Sequence, residues 1–179
     1  MDFKDSKTKE NLMKAYLRES GAYNEYTFYA EQAKKDGYEK VYNIFTQFAD
    51  NEQAHAKVWF KLFHGISSTE DNLKDAEELE HFEHSTLYAD FSKVAKEEGY
   101  LDIAELFDGV AKIEAEHEKK YKALYEKVKS DTMFTSKTQV EWKCNNCGHV
   151  EKGTSAPQKC PVCSHPQAFF EQVCGKCDC

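Results

Sequence analysis

Two Glu-x-x-His tetrads, Glu52-Gln53-Ala54-His55 and Glu114-Ala115-Glu116-His117, stand 62 positions apart in the chain. A Glu and a His three apart on a helix lie on one face, one turn along, so both reach a single metal ion. Gly37-Tyr38 and Gly99-Tyr100 share the offset of 62, which makes the tetrads part of an internal repeat. Near the C-terminus, Cys144-Asn145-Asn146-Cys147 and Cys160-Pro161-Val162-Cys163 form two C-x-x-C knuckles separated by 12 residues. Four thiolates at this spacing make a tetrahedral S4 site.

These side chains need long helices to position them, and the apolar periodicity supplies four. The first is expected over residues 6–35, with Leu12, Ala15, Tyr16, Ala22, Tyr23, Tyr26, Ala30 and Ala33 at helical spacing and Glu19 in the middle of that face. The second, 38–64, carries Val41, Ile44, Phe45, Phe48, Trp59 and Leu62, interrupted by Glu52 and His55. Ser67-Ser68-Thr69 offers N-caps to a third helix over 69–98. Its phase is the hardest to set; the spacing Leu73, Ala76, Glu80, Glu83, Leu87, Phe91, Val94 turns Glu80 and Glu83 inward. The fourth, 100–129, places Glu114 and His117 among Ile103, Phe107, Val110, Tyr121, Leu124 and Val128. The chain is thus two helix pairs, with Glu19 18 residues before Gly37 and Glu80 19 residues before Gly99.

With 32 acidic residues in the chain, one Glu on an apolar face is unremarkable, since long side chains snorkel to water. Glu19, Glu52, Glu80, Glu83 and Glu114 together are different: buried carboxylates without cations cost several kcal/mol each or take up protons. Four helices bearing these carboxylates, with His55 and His117, match the ligand pattern of a carboxylate di-iron bundle. Oxygen-rich ligation with two imidazoles suits iron or manganese better than tetrahedral zinc. Five glutamates carry −5, so two ferrous ions leave −1, and two ferric ions with an oxo bridge also leave −1. The site is therefore expected to cycle between diferrous and oxo-bridged diferric states with little change in buried charge. Glu83 is unpaired in the repeat, its counterpart being Ala22, so the two irons should differ.

All seven cysteines fall between Cys144 and Cys179, which separates a cysteine-free body from a cysteine-dense module. The expected organisation is a four-helix bundle over 1–130, a linker over 131–141, a small metal domain over 142–173 and a cysteine tail over 174–179. A short strand is expected at Val140-Glu141-Trp142, with Trp142, Phe169 and Phe170 as the module's core and Gly148 permitting the knuckle turn. The tail cysteines Cys174, Cys177 and Cys179 can hold a metal, form a labile disulfide, or do neither. Spacing does not separate zinc from iron at the S4 site; a one-electron iron has a job beside a di-iron bundle and a zinc ribbon has none. A net charge of −8 argues against nucleic acid and anionic membrane as partners. No apolar run approaches a membrane span, and Met1-Asp2-Phe3-Lys4-Asp5 lacks a signal core, so a cytoplasmic protein is expected.

From about Thr8 to Val173 the chain resembles the rubrerythrin family: a ferritin-like all-α four-helix bundle followed by a small β/loop-rich rubredoxin-like domain. The resemblance rests on Arg18-Glu19-Ser20, the stretch from Ala49 to Lys57, Glu80-His81-Phe82-Glu83, Glu97-Glu98-Gly99-Tyr100, the stretch from Glu114 to Lys119, and the two knuckles. It implies that Glu52 and Glu114 bridge two irons. Glu19, with Glu83 or His55 according to oxidation state, would complete one iron, and Glu80 with His117 the other. Cys144, Cys147, Cys160 and Cys163 would hold a third, rubredoxin-type iron. Tyr26 and Tyr88 match the family's tyrosines beside the di-iron site. The implied activity is reduction of hydrogen peroxide to water, with electrons relayed from the rubredoxin-like iron and drawn originally from NADH. They would arrive through a separate redox protein, a rubredoxin or a flavoprotein reductase, because the chain has no dinucleotide fingerprint. The family also implies a homodimer or higher homo-oligomer, with one chain's rubredoxin-like site near the other's di-iron site. The cysteine tail departs from the family pattern, and His84, four after Glu80, is a competing ligand if the third helix is phased one position differently. Two other functions compete: ferritin-like iron oxidation or storage, and a binding or sensing protein with a zinc ribbon. Glu83 and the attached S4 module weigh against storage, which needs no electron relay.

Overall fold

The computed structural model describes residues 2–173; Cys174, Cys177 and Cys179 lie outside the described residues. Five α-helices are followed by a three-stranded sheet, and the chain divides into two compact units between Ser67 and Ser68. In the first unit α1 (Lys7–Lys35) and α2 (Glu39–Phe63) form a hairpin. Gly37 turns it at φ +82°, and the Tyr38 N–H donates to the Ala33 carbonyl at 2.9 Å, so a left-handed residue closes the helix. The repeat is faithful in the second unit, where Gly99 (φ +89°) is followed by a Tyr100 N–H donating to the Ala95 carbonyl at 2.8 Å.

The second unit contains α3 (Thr69–Phe82), α4 (Tyr88–Glu97) and α5 (Leu101–Lys129). Ser68 caps α3 as expected, its Oγ accepting from the Asp71 N–H at 3.1 Å. The single helix expected over 69–98 is interrupted by a π-helical turn at Glu83–Leu87. A π-turn holds one residue more than an α-turn, which accounts for the 19 residues from Glu80 to Gly99 against 18 from Glu19 to Gly37. Ser85 Oγ donates to the His81 carbonyl at 2.6 Å within this irregular stretch.

Among the described residues, every buried apolar side chain in the helices is an alanine: Ala22, Ala30, Ala33, Ala49 and Ala56 in the first unit, Ala95 and Ala104 in the second. Small residues let helices approach closely, so each pair closes on a narrow alanine seam. Several larger members of the expected stripes stay exposed within their own units, Phe48 by 48 % and Ile103 by 41 %, while others such as Tyr16, Phe45 and Phe107 are half-buried. Charge explains one side chain that the stripe misplaced. Glu77 is buried, with Lys74 Nζ at 3.4 Å and Lys122 Nζ at 3.8 Å.

The sheet has the order β2-β1-β3, all antiparallel, from β1 (Thr135–Cys144), β2 (Val150–Ser155) and β3 (Phe170–Gln172). β1 starts well before the short strand expected at Val140, within the segment expected to be a linker, and its register shifts between Thr135 and Val140. The core here is Trp142, Cys144, Ala156, Cys160 and Phe170. Trp142 Nε1 donates to the Gly153 carbonyl at 3.2 Å, so the indole is buried with its polar atom paired. Phe169 does not join this core: it is 39 % exposed and its ring meets His165 edge-on at 4.5 Å. Phe169 ends the 3-10 turn Gln167–Phe169 and only Phe170, the first residue of β3, enters the core.

Candidate metal centres

Three clusters gather the residues expected to bind metal, Glu83 excepted. In the first unit Glu19 of α1 meets Glu52 and His55 of α2, with one ligand atom from each within 4.8 Å of the others. His55 Nδ1 lies 3.0 Å from Glu52 Oε2. Burial, then the neighbouring Glu52 carboxyl, pushes the Glu19 carboxyl above its ordinary value, while the His55 hydrogen bond holds Glu52 below.

The second unit repeats this with Glu80 of α3 and Glu114 and His117 of α5. His117 Nδ1 is 2.6 Å from Glu114 Oε2 and 3.6 Å from Glu80 Oε2. Glu80 Oε2 is buried and has no hydrogen-bond partner, and burial followed by Glu114 raises its carboxyl above the ordinary range. A buried carboxylate oxygen with a vacant lone pair, aimed at a second carboxylate and an imidazole, is what a cation would satisfy. The donor set therefore fits a metal.

Glu83 falls outside both triads and opens the π-turn, followed by Tyr88 at the start of α4. Burial, then the charges of Glu83, Glu114 and Glu80, raises the Tyr88 phenol. Tyr26 of α1 packs its ring on Phe45, centroids 6.1 Å apart. His84 is not a competitor for the Glu80 cluster. Its Nε2 lies 2.6 Å from Glu118 Oε2 and His81 Nδ1 lies 3.1 Å from Glu118 Oε1, so Glu118 pins the entry of the π-turn to α5. Glu118 is a residue the periodicity missed, because it sits beside His117 and off the apolar stripe.

In the sheet unit the two knuckles are copies of each other. Cys144 N–H donates to the His149 carbonyl and Cys160 N–H to the His165 carbonyl, both at 2.8 Å. Gly148 (φ +77°) takes the left-handed turn expected of it, and Ser164 (φ +62°) takes the same turn in the second knuckle. Cys144 Sγ to Cys163 Sγ and Cys147 Sγ to Cys160 Sγ are each 3.7 Å. Metal–sulfur bonds of about 2.3 Å in a tetrahedron require sulfurs about 3.8 Å apart, so the quartet is already spaced for one ion. The His165 backbone N–H, then its neighbouring thiols, brings Cys163 down to about 5, favouring the thiolate that a metal needs.

Helix pairs bearing Glu and Glu-x-x-His ligands, joined to a four-thiolate module, define a carboxylate di-iron protein with an appended rubredoxin-type centre. Residues 10–125 match the family model for rubrerythrin, residues 142–171 match the model for the rubrerythrin rubredoxin-like domain, and the chain belongs to the rubrerythrin family. It is 41 % identical over 183 residues to a rubrerythrin of Porphyromonas gingivalis, covering 95 % of this chain and 92 % of that one. Rubrerythrin-1 of Clostridium acetobutylicum is 42 % identical over 185 residues, covering 94 % and 95 %. Among solved structures, a fully reduced, all-ferrous nigerythrin is similar, at 28 % identity, 94 % and 90 % coverage and a TM-score of 0.37. The cofactors are accordingly a di-iron pair and an iron at Cys144, Cys147, Cys160 and Cys163.

Proposed function

We propose that this iron protein is a cytoplasmic peroxidase that reduces hydrogen peroxide to water: H2O2 + 2 H⁺ + 2 e⁻ → 2 H2O. One observation carries the reading: a single chain holds both carboxylate–imidazole triads and a thiolate quartet spaced for one ion. Storage of iron gives such a quartet no task, whereas returning electrons one at a time to a two-electron site does. No described helix is long and apolar enough to cross a membrane, which agrees with a cytoplasmic enzyme.

When bound, the iron pair supplies the two electrons and the open positions at which peroxide reacts. The chain supplies the rest. Glu19, Glu52 and His55 of one triad and Glu80, Glu114 and His117 of the other would hold the iron pair. Glu83 would be an alternative ligand to His55, and its place at a π-turn gives that side chain a backbone less tied into a regular ladder. Tyr88, with its phenol raised by burial and the surrounding glutamates, stays protonated and keeps a hydroxyl donor beside the carboxylates. Tyr26 takes the corresponding place on α1. A rubredoxin or flavoprotein reductase reloads the four-cysteine iron.

The test is anaerobic stopped flow on the fully reduced protein, following the ferric–thiolate band after one equivalent of hydrogen peroxide or of dioxygen. Colour should return fast with peroxide and slowly with dioxygen; the reverse order makes the protein an oxidase or ferroxidase. A second expectation concerns Glu83→Ala, which removes an anion that favours the ferric state. Its di-iron midpoint potential should rise on the order of 100 mV, the size expected for one charge at ligand distance in a half-buried site. An unchanged midpoint removes Glu83 from the site.

A further inference from the structure

We propose that His81, His84 and Glu118 form a further metal site, separate from the di-iron centre and the cysteine quartet, which takes one first-row divalent cation and clasps the π-turn to α5. His81 lies in the last turn of α3, His84 in the π-turn and Glu118 in α5, all within the second unit. The site goes beyond the peroxidase reading and does not depend on it.

The local sequence explains why a second ligand set arises here. His81 follows Glu80, His84 follows Glu83 and Glu118 follows His117, so the triad is one residue on from three expected iron ligands. One residue is about 100° of helical turn, which carries these side chains to a neighbouring side of the same α3–α5 contact. The register that brings Glu80 to His117 therefore also brings His81 and His84 to Glu118. The two histidines are three apart and share a face. His81 Nδ1 lies 3.1 Å from Glu118 Oε1, and His84 Nε2 lies 2.6 Å from Glu118 Oε2. One ligand atom from each residue falls within 4.8 Å of the others.

Two further observations favour a cation over a plain hydrogen-bonded tie. A tie between the turn and α5 needs one imidazole, yet two converge on this carboxylate, their rings edge-on at 87° with centroids 5.3 Å apart. Metal bonds of about 2.0–2.2 Å to nitrogen and oxygen in a tetrahedron set ligand atoms about 3.3 Å apart. The His81 arm already has nearly that spacing, and the His84 arm needs to open by less than about 1 Å. His81 is exposed while His84 and Glu118 are half-buried, so an ion can enter from water and settle against the helices. Two imidazoles and one carboxylate leave a fourth position for water and suit zinc or ferrous iron, with zinc the tighter of the two. Glu83 sits between the two histidines in sequence, so a cation bound here fixes the backbone on either side of it.

The experiment is equilibrium dialysis of the iron-loaded, full-length protein against Zn2+, counting zinc and iron per chain, for the wild type, His81→Ala and Glu118→Gln. Hydrogen–deuterium exchange of the π-turn amides is followed on the same samples. Iron content reports that each variant has folded, and the exposed position of His81 makes its replacement the milder of the two. Cys174, Cys177 and Cys179 can take zinc of their own in all three proteins, so the quantity read is the difference between wild type and variant. The wild type should hold one zinc more than either variant, with its iron retained. At zinc 100 times its Kd, exchange in the π-turn should slow by up to about 100-fold, in the wild type alone. Equal zinc in the three proteins overturns the site and leaves Glu118 as a hydrogen-bonded tie. Zinc uptake matched by iron loss overturns it as well, because the zinc has then entered the iron sites. An extra zinc that leaves exchange in the turn unchanged overturns the clasp.

Discussion

Glu114→Ala is expected to empty the di-iron centre and abolish peroxide turnover while the chain keeps its red four-cysteine iron. Glu114 Oε2 is 2.6 Å from His117 Nδ1 and its charge raises the Glu80 carboxyl, so it is coupled to every other member of its triad. Partners that merely orient ligands command 10- to 100-fold in metal affinity, and loss of a ligand itself should exceed about 100-fold. The metal-free protein should respond in the opposite sense. Glu80 and Glu19 have folded-state values above their ordinary ones, burial being the main cause. Such groups favour folding fully at pH below the ordinary carboxylate value, and that advantage disappears as pH rises through the raised value. At neutral pH the metal-free clusters are therefore under mutual repulsion, and removing Glu114 relieves it. Thermal unfolding should show Glu114→Ala unchanged or more stable without metal, and less stable than wild type with ferrous iron. A variant that is destabilised equally in both conditions would place Glu114 in packing instead of ligation.

Trp142→Ala is expected to dismantle the sheet module and to release its iron. The indole is 1 % exposed, the largest side chain in a core that otherwise consists of Cys144, Ala156, Cys160 and Phe170. Its Nε1 hydrogen bond ties β1 to the Gly153 carbonyl of β2. Removing a buried Trp side chain costs about 3–5 kcal/mol, a large share of what so small a module can have. Two of the four thiolates belong to that core, so folding and metal binding are one equilibrium. Titration of ferrous iron into the metal-free variant, followed by the visible band after oxidation, should show weakened binding at the cysteines with the helical far-UV signal retained. Wild-type affinity would mean that the metal alone organises the quartet.

Much of this was legible because it is local. The Glu-x-x-His tetrads, the knuckles and the glycine stops are patterns of a few residues, and α1, α2 and α5 begin and end within a residue or so of where the periodicity puts them. The π-turn was written in the sequence only as one surplus residue between Glu80 and Gly99, a signal that an average period conceals. Phe169 was wrongly expected in the core and Glu118 was missed. The first depends on the 3-10 turn that precedes β3, and the second on a contact between α5 and residues more than 30 positions earlier. Periodicity also marked the apolar faces without stating that only alanines among them are fully buried and that some larger side chains stay exposed, since amphipathicity names a face and not its neighbour.

The alanine seam acts as a gauge. Ala22 lies one turn after Glu19 and Ala49 one turn before Glu52, and both are buried where α1 meets α2. Small residues at these two positions let the helices approach closely beside the carboxylates, while the ring pairs Tyr16–Phe60 and Tyr26–Phe45 pack between the same helices further along. The carboxylates that cross the seam then have a fixed bite. A helix pair held apart by leucines would present the same glutamates over a wider gap and suit a larger ion. Two residues with no donor atom in their side chains, Ala22 and Ala49, thus lie buried one turn from the carboxylates and help set their spacing.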